Sequence, residues 1–283
     1  MAITVQTNVA SLNAQRNLTG TMSSMQTALS RLSSGYRITK SSDDAAGLAI
    51  SESLRAQIRS MAQAQRNAYD GISVIQTAEG SLNEISNILI RMRELGMQAA
   101  SDGVGSTERS YMQVELGALR SEIDRIASST EFNGRKLING SLSLTSSGPA
   151  TGLTFQIGIR NVTANDRISI NINSAQADKL NVATLSIGSK SGAQLALSSL
   201  DTALRSVSSI RASLGAYENR LTSTISNLGI AQENVSAANS RIRDMDAAQE
   251  TSNLTKAQIL LQAGVSVLAQ ANAVPQVALT LIR

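Results

Sequence analysis

The sequence predicts a mainly α-helical chain: a long antiparallel helical rod whose ends pair like a coiled coil, with a small β-hairpin inserted partway. Apolar residues recur at alternating steps of three and four near both ends and through two long interior stretches. The period drops to two only between residues 141 and 190. The apolar residues are mostly small aliphatics, with two Phe, four Tyr and no Trp among 283 residues. Such a composition suits close helix packing and lacks the aromatic anchors of a compact α/β core.

The first helix is read from Val5, Val9 and Leu12, then, after a phase skip, Leu18, Met22, Met25, Leu29, Leu32 and Tyr36. A Gly- and Ser-rich stretch follows and ends at Ser42, Asp43 and Asp44, where Asp43 or Ser42 is placed to cap the next helix. Two adjacent carboxylates make a poor metal cage, so capping is the preferred reading of this pair. From Ala45 to Ala100 the chain reads as one helix, with Ile75, Ala78, Leu82, Ile85, Leu89 and Met92 keeping the three-four rhythm. At about 1.5 Å per residue it spans about 85 Å. Gly47, Gly71, Gly80 and Gly96 each weaken it by about 1 kcal/mol, so packing must support it.

A loop at Asp102 to Gly105 lets a second helix fold back, marked by Met112, Leu116, Leu119, Ile123 and Ile126. Asn133-Gly134 and Asn139-Gly140 signal turns. Leu153, Phe155, Ile157 and Ile159 alternate with polar residues, as do Ile168, Ile170 and Ile172, which predicts a hairpin around the loop Asn161 to Asp166. Helix resumes near residue 192, with Leu197, Leu200, Leu204, Val207, Leu214, Tyr217, Leu221, Ile225 and Leu228 on one face. The last seam runs through Leu254, Ala257, Leu261, Val265 and Leu268, and Pro275 is expected to close it. This order brings both ends of the chain together.

Composition excludes most catalytic kits. Without Cys or His, there is no thiolate nucleophile, Ser-His-Asp triad, histidine base or zinc site of the usual ligands. Ser-Lys or paired-carboxylate chemistry would need a pocket, and a rod of small aliphatics offers few. The net charge of +4 is unevenly placed. Residues 1–42 hold Arg16, Arg31, Arg37 and Lys40 and no acid, and residues 251–283 hold Lys256 and Arg283 and no acid. Basic ends can serve nucleic acid or anionic lipid, but these charges are scattered and aromatic stacking platforms are nearly missing.

Membrane insertion is disfavoured too. Ala257 to Ile282 carries no charge, but Gln258, Gln262, Ser266, Gln270, Asn272 and Gln276 recur through it and Pro275 interrupts it, whereas a spanning helix needs about 20 predominantly apolar residues. Met1 to Ala10 shows neither a basic stretch nor an apolar core of the secretory kind, so no cleaved signal peptide is expected. The residues thus describe a self-associating rod with sticky basic ends, the layout of a polymer subunit.

Three stretches carry a resemblance. Leu32-Ser-Ser-Gly-Tyr-Arg-Ile, followed by Asp43-Asp44-Ala-Ala-Gly-Leu-Ala-Ile50, resembles the N-terminal signature of the bacterial flagellins. Leu268-Ala-Gln-Ala-Asn-Ala-Val-Pro-Gln-Val-Ala-Leu-Thr-Leu-Ile-Arg283 resembles their C-terminal one. Glu122-Ile-Asp-Arg-Ile-Ala and Thr130-Glu-Phe-Asn-Gly134 match a third. The resemblance covers about 1–140 and 190–283.

It implies a structural subunit, not an enzyme, without cofactor or metal, that self-assembles into the extracellular flagellar filament used for motility. On that reading residues 1–42 and 240–283 form the inner tube, 43–140 and 190–239 the outer tube, and 141–189 a surface-exposed insertion. Many family members carry large outer domains in place of this short insertion. Val5, Val9, Leu12, Leu18, Met22, Met25, Leu29, Leu32, Leu254, Leu261, Val265 and Leu268 become inner-core assembly residues. The scattered Arg residues of the terminal helices are expected to face a wet central channel.

The implied partners are further copies of the chain, an export chaperone at the C-terminal region, and the flagellar cap and hook-associated proteins. Export proceeds through the flagellar type III apparatus with no cleaved signal. Arg91, Leu95 and Glu115 fall where members detected by Toll-like receptor 5 present Arg, Leu and Glu, although Leu95 also fits a core position. The alternative is the hook-filament junction protein, which resembles flagellin at both ends but adapts rather than repeats. Flagellins with a built-in metalloprotease need His in H-E-x-x-H, which this chain lacks.

Overall fold

The computed structural model describes residues 7–143 and 152–281. In chain order it contains α1 (Val9–Ser34), α2 (Ala45–Ala99), α3 (Ser106–Ser129), β1 (Glu131–Phe132), β2 (Arg135–Lys136), β3 (Leu153–Gln156), α4 (Thr163–Asp166), β4 (Arg167–Ile170), α5 (Lys190–Arg243) and α6 (Ala247–Leu281). The chain is mainly helical with a small antiparallel insertion. It divides into two compact units, Met1–Ile58 with Glu233–Arg283 and Arg59–Gln232.

In the Arg59–Gln232 unit, the three-four rhythm becomes burial. Ile75, Ala78, Leu82, Ile85, Leu89 and Met92 of α2 are fully buried with Leu116 and Ile123 of α3 and Leu200, Ala203, Val207 and Leu214 of α5 in one core. Ion pairs on the rims show the helix directions. Arg91 reaches Glu115 between α2 and α3, while Arg93 reaches Asp201 and Arg211 reaches Glu79 between α2 and α5. Rising numbers on one helix meet falling numbers on the next, so both pairs run antiparallel.

Asn133 and Gly134 both adopt positive φ, the type of tight turn that joins β1 to β2. Strands β3 and β4 pair antiparallel with Leu153 opposite Ile170 and Phe155 opposite Ile168, and the connecting loop contains the one-turn helix α4. The insertion is less external than the sequence suggests. Ile157, Ile168, Ile170, Ile172, Ala175, Ala177, Leu180, Val182 and Ile187 are buried in the same core.

Polar side chains of α3 hold the irregular part of the insertion. Asp124 Oδ1 accepts from Ala177 N (2.9 Å), Gln113 Oε1 accepts from Ile187 N (2.6 Å), and Arg120 donates to the Ala183 carbonyl. Among the described residues of the insertion, β3 and β4 carry the β period, and residues 171–189 act as an apolar cover for the helices.

In the other unit, α1 ends where Gly35 takes the left-handed conformation (φ 76°) and its N–H closes onto the Arg31 carbonyl. The chain then meets the α5–α6 junction. Arg37 N donates to the Arg243 carbonyl (2.7 Å) and Met245 N to the Gly35 carbonyl (3.1 Å), while the Arg243 guanidinium stacks on Tyr36 and pairs with Glu52. The signature residues Gly35, Tyr36 and Arg37 therefore form a joint.

Three expectations are corrected here. The α2 cap is Asp44, whose Oδ1 accepts from Gly47 N (2.8 Å), and not Asp43 or Ser42. Asp43 folds the preceding loop, accepting from Thr39 N, Thr39 Oγ1 and Lys40 N. Second, the last helix starts before its predicted seam at Leu254 and before the acid-free stretch 251–283, at Ala247, and so contains Glu250. Third, Pro275 does not end the helix, which continues to Leu281. An interior proline deprives the carbonyl four residues earlier of its donor, and here α1 supplies a substitute: Asn8 Nδ2 donates to the Ala271 carbonyl at 2.7 Å.

The Asp43 loop has a pH consequence. Backbone donation from Thr39, then from Lys40, holds its carboxyl below the usual carboxylate range. A depressed carboxylate contributes stability that is complete above its ordinary pKa and is lost as pH falls through the depressed one. Asp43→Asn is expected to lower the protection of the Thr39 and Lys40 amides, measured relative to their intrinsic exchange rates, at neutral pH and to remove the acid-dependent loss of that protection. Exchange rates across an acidic pH series check both.

Candidate assembly interface

Helices α1 and α6 pack along their lengths. Asn8 meets Ala271, Leu18 meets Gly264 and Arg31 meets Glu250, so they run antiparallel. The inward positions of α6 are Glu250, Leu254, Ala257, Leu261, Gly264, Leu268 and Ala271, alternating by four and three without a break. Those of α1 include Asn8, Ser11, Ala14, Leu18, Thr21, Met25, Ala28 and Leu32. A Cβ at Gly264 would lie 3.3 Å from Leu18 Cγ. The missing side chain there allows the helices to approach closely.

The predicted assembly residues split between two faces. Leu18, Met25, Leu32, Leu254, Leu261 and Leu268 are half-buried along the α1–α6 seam. Val9, Leu12, Met22, Leu29 and Val265 are instead about half exposed, from 48% to 58%. Val5 lies outside the described residues. Reading one stripe per helix had merged two. Sequence reasoning also missed Ile259, Leu260, Val267 and Val274, all exposed on α6. Their offset by one or two positions from the inward series is the signal that could have found them.

Beside the seam runs a polar groove lined by Arg16, Asn17, Thr21, Arg31, Glu250 and Lys256. Arg31 lies 3.8 Å from Glu250, with both side chains mostly shielded. Arg31 is therefore engaged inside the helix pair and does not behave as a freely solvated charge. The stretch Ala247–Val274 is long and apolar enough by composition to cross a membrane, and only 6% of it is buried within this chain. Among the described residues no group of three or more acidic side chains could hold a metal ion.

The other candidate site lies on α2 and α3. Arg91 pairs with Glu115 (2.9 Å) and Glu94 (3.1 Å), all three being about half exposed. Donation from the guanidinium to the Glu115 carboxylate, followed by donation to that of Glu94, raises the guanidinium pKa further above its already high value. Leu95, one turn further along α2, is 2% exposed and lies in the core. The structure thus presents Arg91 and Glu115 together at the surface and keeps Leu95 beneath them.

One seam closed within the chain and further apolar residues left exposed on the same two helices define a helical assembly subunit. Residues 5–143 match the bacterial flagellin N-terminal helical region, and residues 197–282 match the bacterial flagellin C-terminal helical region. The chain belongs to the bacterial flagellin family.

It is 44% identical to the flagellin of Bacillus subtilis strain 168, over 98% of each chain. It is 42% identical, again over 98% of each, to flagellin FlaB2 of Treponema pallidum and to the flagellar filament 33 kDa core protein of Treponema phagedenis. Among solved structures, a Vibrio parahaemolyticus protein described as flagellar hook-associated superposes with a TM-score of 0.58 at 18% identity, covering 71% of this chain and all of that one. At that identity the likeness concerns the fold alone.

Proposed function

We infer that this chain is the repeating structural subunit of a bacterial flagellar filament and that its terminal helices drive assembly. The observation that carries the reading is the set of apolar side chains that α1 and α6 leave exposed outside their seam: Val9, Leu12, Met22 and Leu29 with Ile259, Val265, Val267 and Val274. Apolar area covered by neighbouring copies contributes about 25 cal/mol per Å². A contact between two different faces repeats into a helix of subunits when the rotation does not close. On this reading residues 1–42 and 240–283 line the inner tube, 43–140 and 190–239 build the outer tube, and 141–189 lie on its outer side.

The chain has a structural and not a catalytic role. It travels to the extracellular filament without cleavage of a signal, with an export chaperone on the C-terminal region, and it meets cap and hook-associated proteins at the filament ends. It does not insert into membranes, because the exposed apolar residues of α6 are covered by other copies, and it does not bind nucleic acid, because its terminal basic residues are scattered and lack aromatic platforms beside them. Purified chain, seeded with filament fragments, should grow long filaments visible by negative-stain microscopy. Growth that stops at small defined complexes would support the hook-filament junction role instead.

A host receptor contact of the Toll-like receptor 5 kind is proposed at Arg91 and Glu115, with Leu95 supporting them from below. Arg91→Ala is expected to lower receptor activation by soluble chain by at least about tenfold, the weight of an exposed charged anchor worth about 1.4 kcal/mol. Unchanged activation by the variant would remove the site, and no activation by the unaltered chain would remove the receptor.

A further inference from the structure

The heptad-like seam between α1 and α6 does not by itself define a register. Its inward positions on α6 repeat every seven residues as Leu254, Leu261 and Leu268 and as Ala257, Gly264 and Ala271. A slide by one such repeat would again set Leu beside Leu. Apolar seams of this kind commonly take their register from a polar residue.

One acceptor breaks the repetition. In a helix each carbonyl takes the N–H four residues on, and proline has none. Pro275 lies inside α6, which runs through it to Leu281. Outside the last turn of that helix, Ala271 is therefore the one carbonyl that the chemistry of the chain deprives of its helical donor. Asn8 Nδ2 donates to it at 2.7 Å. The same side chain caps α1, its Oδ1 accepting from Ser11 N at 3.1 Å. Asn8 thus satisfies an orphan donor at the start of one helix and an orphan acceptor in the middle of another, across 263 residues of sequence. A slip of seven residues towards the start of α6 would set its amide against the Gly264 carbonyl, already paired within the helix, and leave Ala271 unsatisfied.

We propose that Asn8 and Pro275 form a register pin for the terminal helix pair, Pro275 exposing one acceptor and Asn8 supplying the donor that finds it. This deepens the assembly reading and rests on it: a filament needs the same α1–α6 register in every copy, because the outward stripes of both helices move with that register. Asn8 and Pro275 are positioning residues, acting through the Ala271 carbonyl.

The chain has no Cys, so engineered pairs report register directly. Leu18→Cys with Gly264→Cys reads the native register, and Leu18→Cys with Ala257→Cys reads a slip by seven. Each pair is co-assembled as a minor component with excess unaltered chain and oxidised in the filament. With Asn8 and Pro275 present, the first pair should cross-link and the second should not.

Asn8→Asp keeps the oxygen that caps α1 but loses the amide donor. It should raise the ratio of slipped to native cross-links by about fivefold, the population shift set by one hydrogen bond. Pro275→Ala returns the N–H to α6 and should raise the ratio similarly, and adding Asn8→Asp to it should change nothing more. An unchanged ratio in Asn8→Asp would overturn the pin, as would an equal effect of Asn8→Asp with and without Pro275. Failure of the unaltered chain to form filaments would instead overturn the assembly reading.

Discussion

Deletion of Val265 to Arg283 yields a soluble chain that forms no filaments. The cut removes Val265, Val267, Leu268 and Val274 from the exposed and seam faces of α6, together with the Ala271 carbonyl and Pro275. It also leaves the Asn8 amide without its acceptor and, with Gly264 at the new end, removes most of the surface opposite the first two turns of α1. Both the closed seam and the open stripe are lost over the same stretch. The core of Arg59–Gln232 contains no residue from this region, so its thermal unfolding should be unchanged. Negative-stain microscopy and light scattering of seeded samples read the outcome, and filaments of normal length from the truncated chain would refute assembly by the terminal helices.

Leu82→Ala should destabilise the Arg59–Gln232 unit by about 2–5 kcal/mol, the range for emptying a large aliphatic site in a packed core. Leu82 is 0% exposed and lies in one continuous cluster with residues of α2, α3, α5 and the insertion. No flexible surface is at hand to collapse into the cavity, which favours the upper part of the range. Ile90→Ala, a change of similar size on the same helix at a residue 47% exposed, should shift stability by within about 0.5 kcal/mol. Denaturant unfolding of the monomer followed by circular dichroism compares the two. Equal losses would mean that α2 does not pack as described.

Much of this fold was legible in the sequence because helical period and burial coincide in the Arg59–Gln232 unit. Ile75, Leu82, Ile85 and Leu89 were spaced for one face and are buried on one face. The hairpin was equally readable, since Phe155 and Ile168 alternate with polar residues and pair across the strands. The terminal helices were harder. Each carries apolar residues on more than one face, so spacing located a seam without deciding which residues meet the chain's own partner helix and which await another copy. That is why Val265 was placed in a seam that Gly264 occupies: a missing side chain gives no apolar signal, yet permits the closest approach.

Other differences arose from contacts distant in sequence. Pro275 reads locally as a stop, and only the amide of Asn8, at the far end of the chain, compensates for the lost donor. Nothing local to Gln113, Arg120 or Asp124 announces that they hold residues 177–187 onto the core. Asp43 and Asp44 were correctly read as local folding residues, and their roles were exchanged because either carboxylate can reach the free amides of that turn. At the second site, the resemblance singled out Arg91 and Glu115 without pairing them, and their contact across α2 and α3 could not be read from spacing, whereas the helical spacing that suggested a core position for Leu95 agrees with its burial.

The central claim is that the apolar residues α1 and α6 leave exposed outside their seam are buried by neighbouring copies at the centre of a tube. Cryo-electron microscopy of filaments grown from this chain tests it most directly. The account predicts α1 and α6 in the innermost layer, with Val9, Leu12, Ile259 and Val267 packed against other subunits. Filaments in which these four residues face solvent, or in which the terminal helices lie at the outer surface, would contradict it.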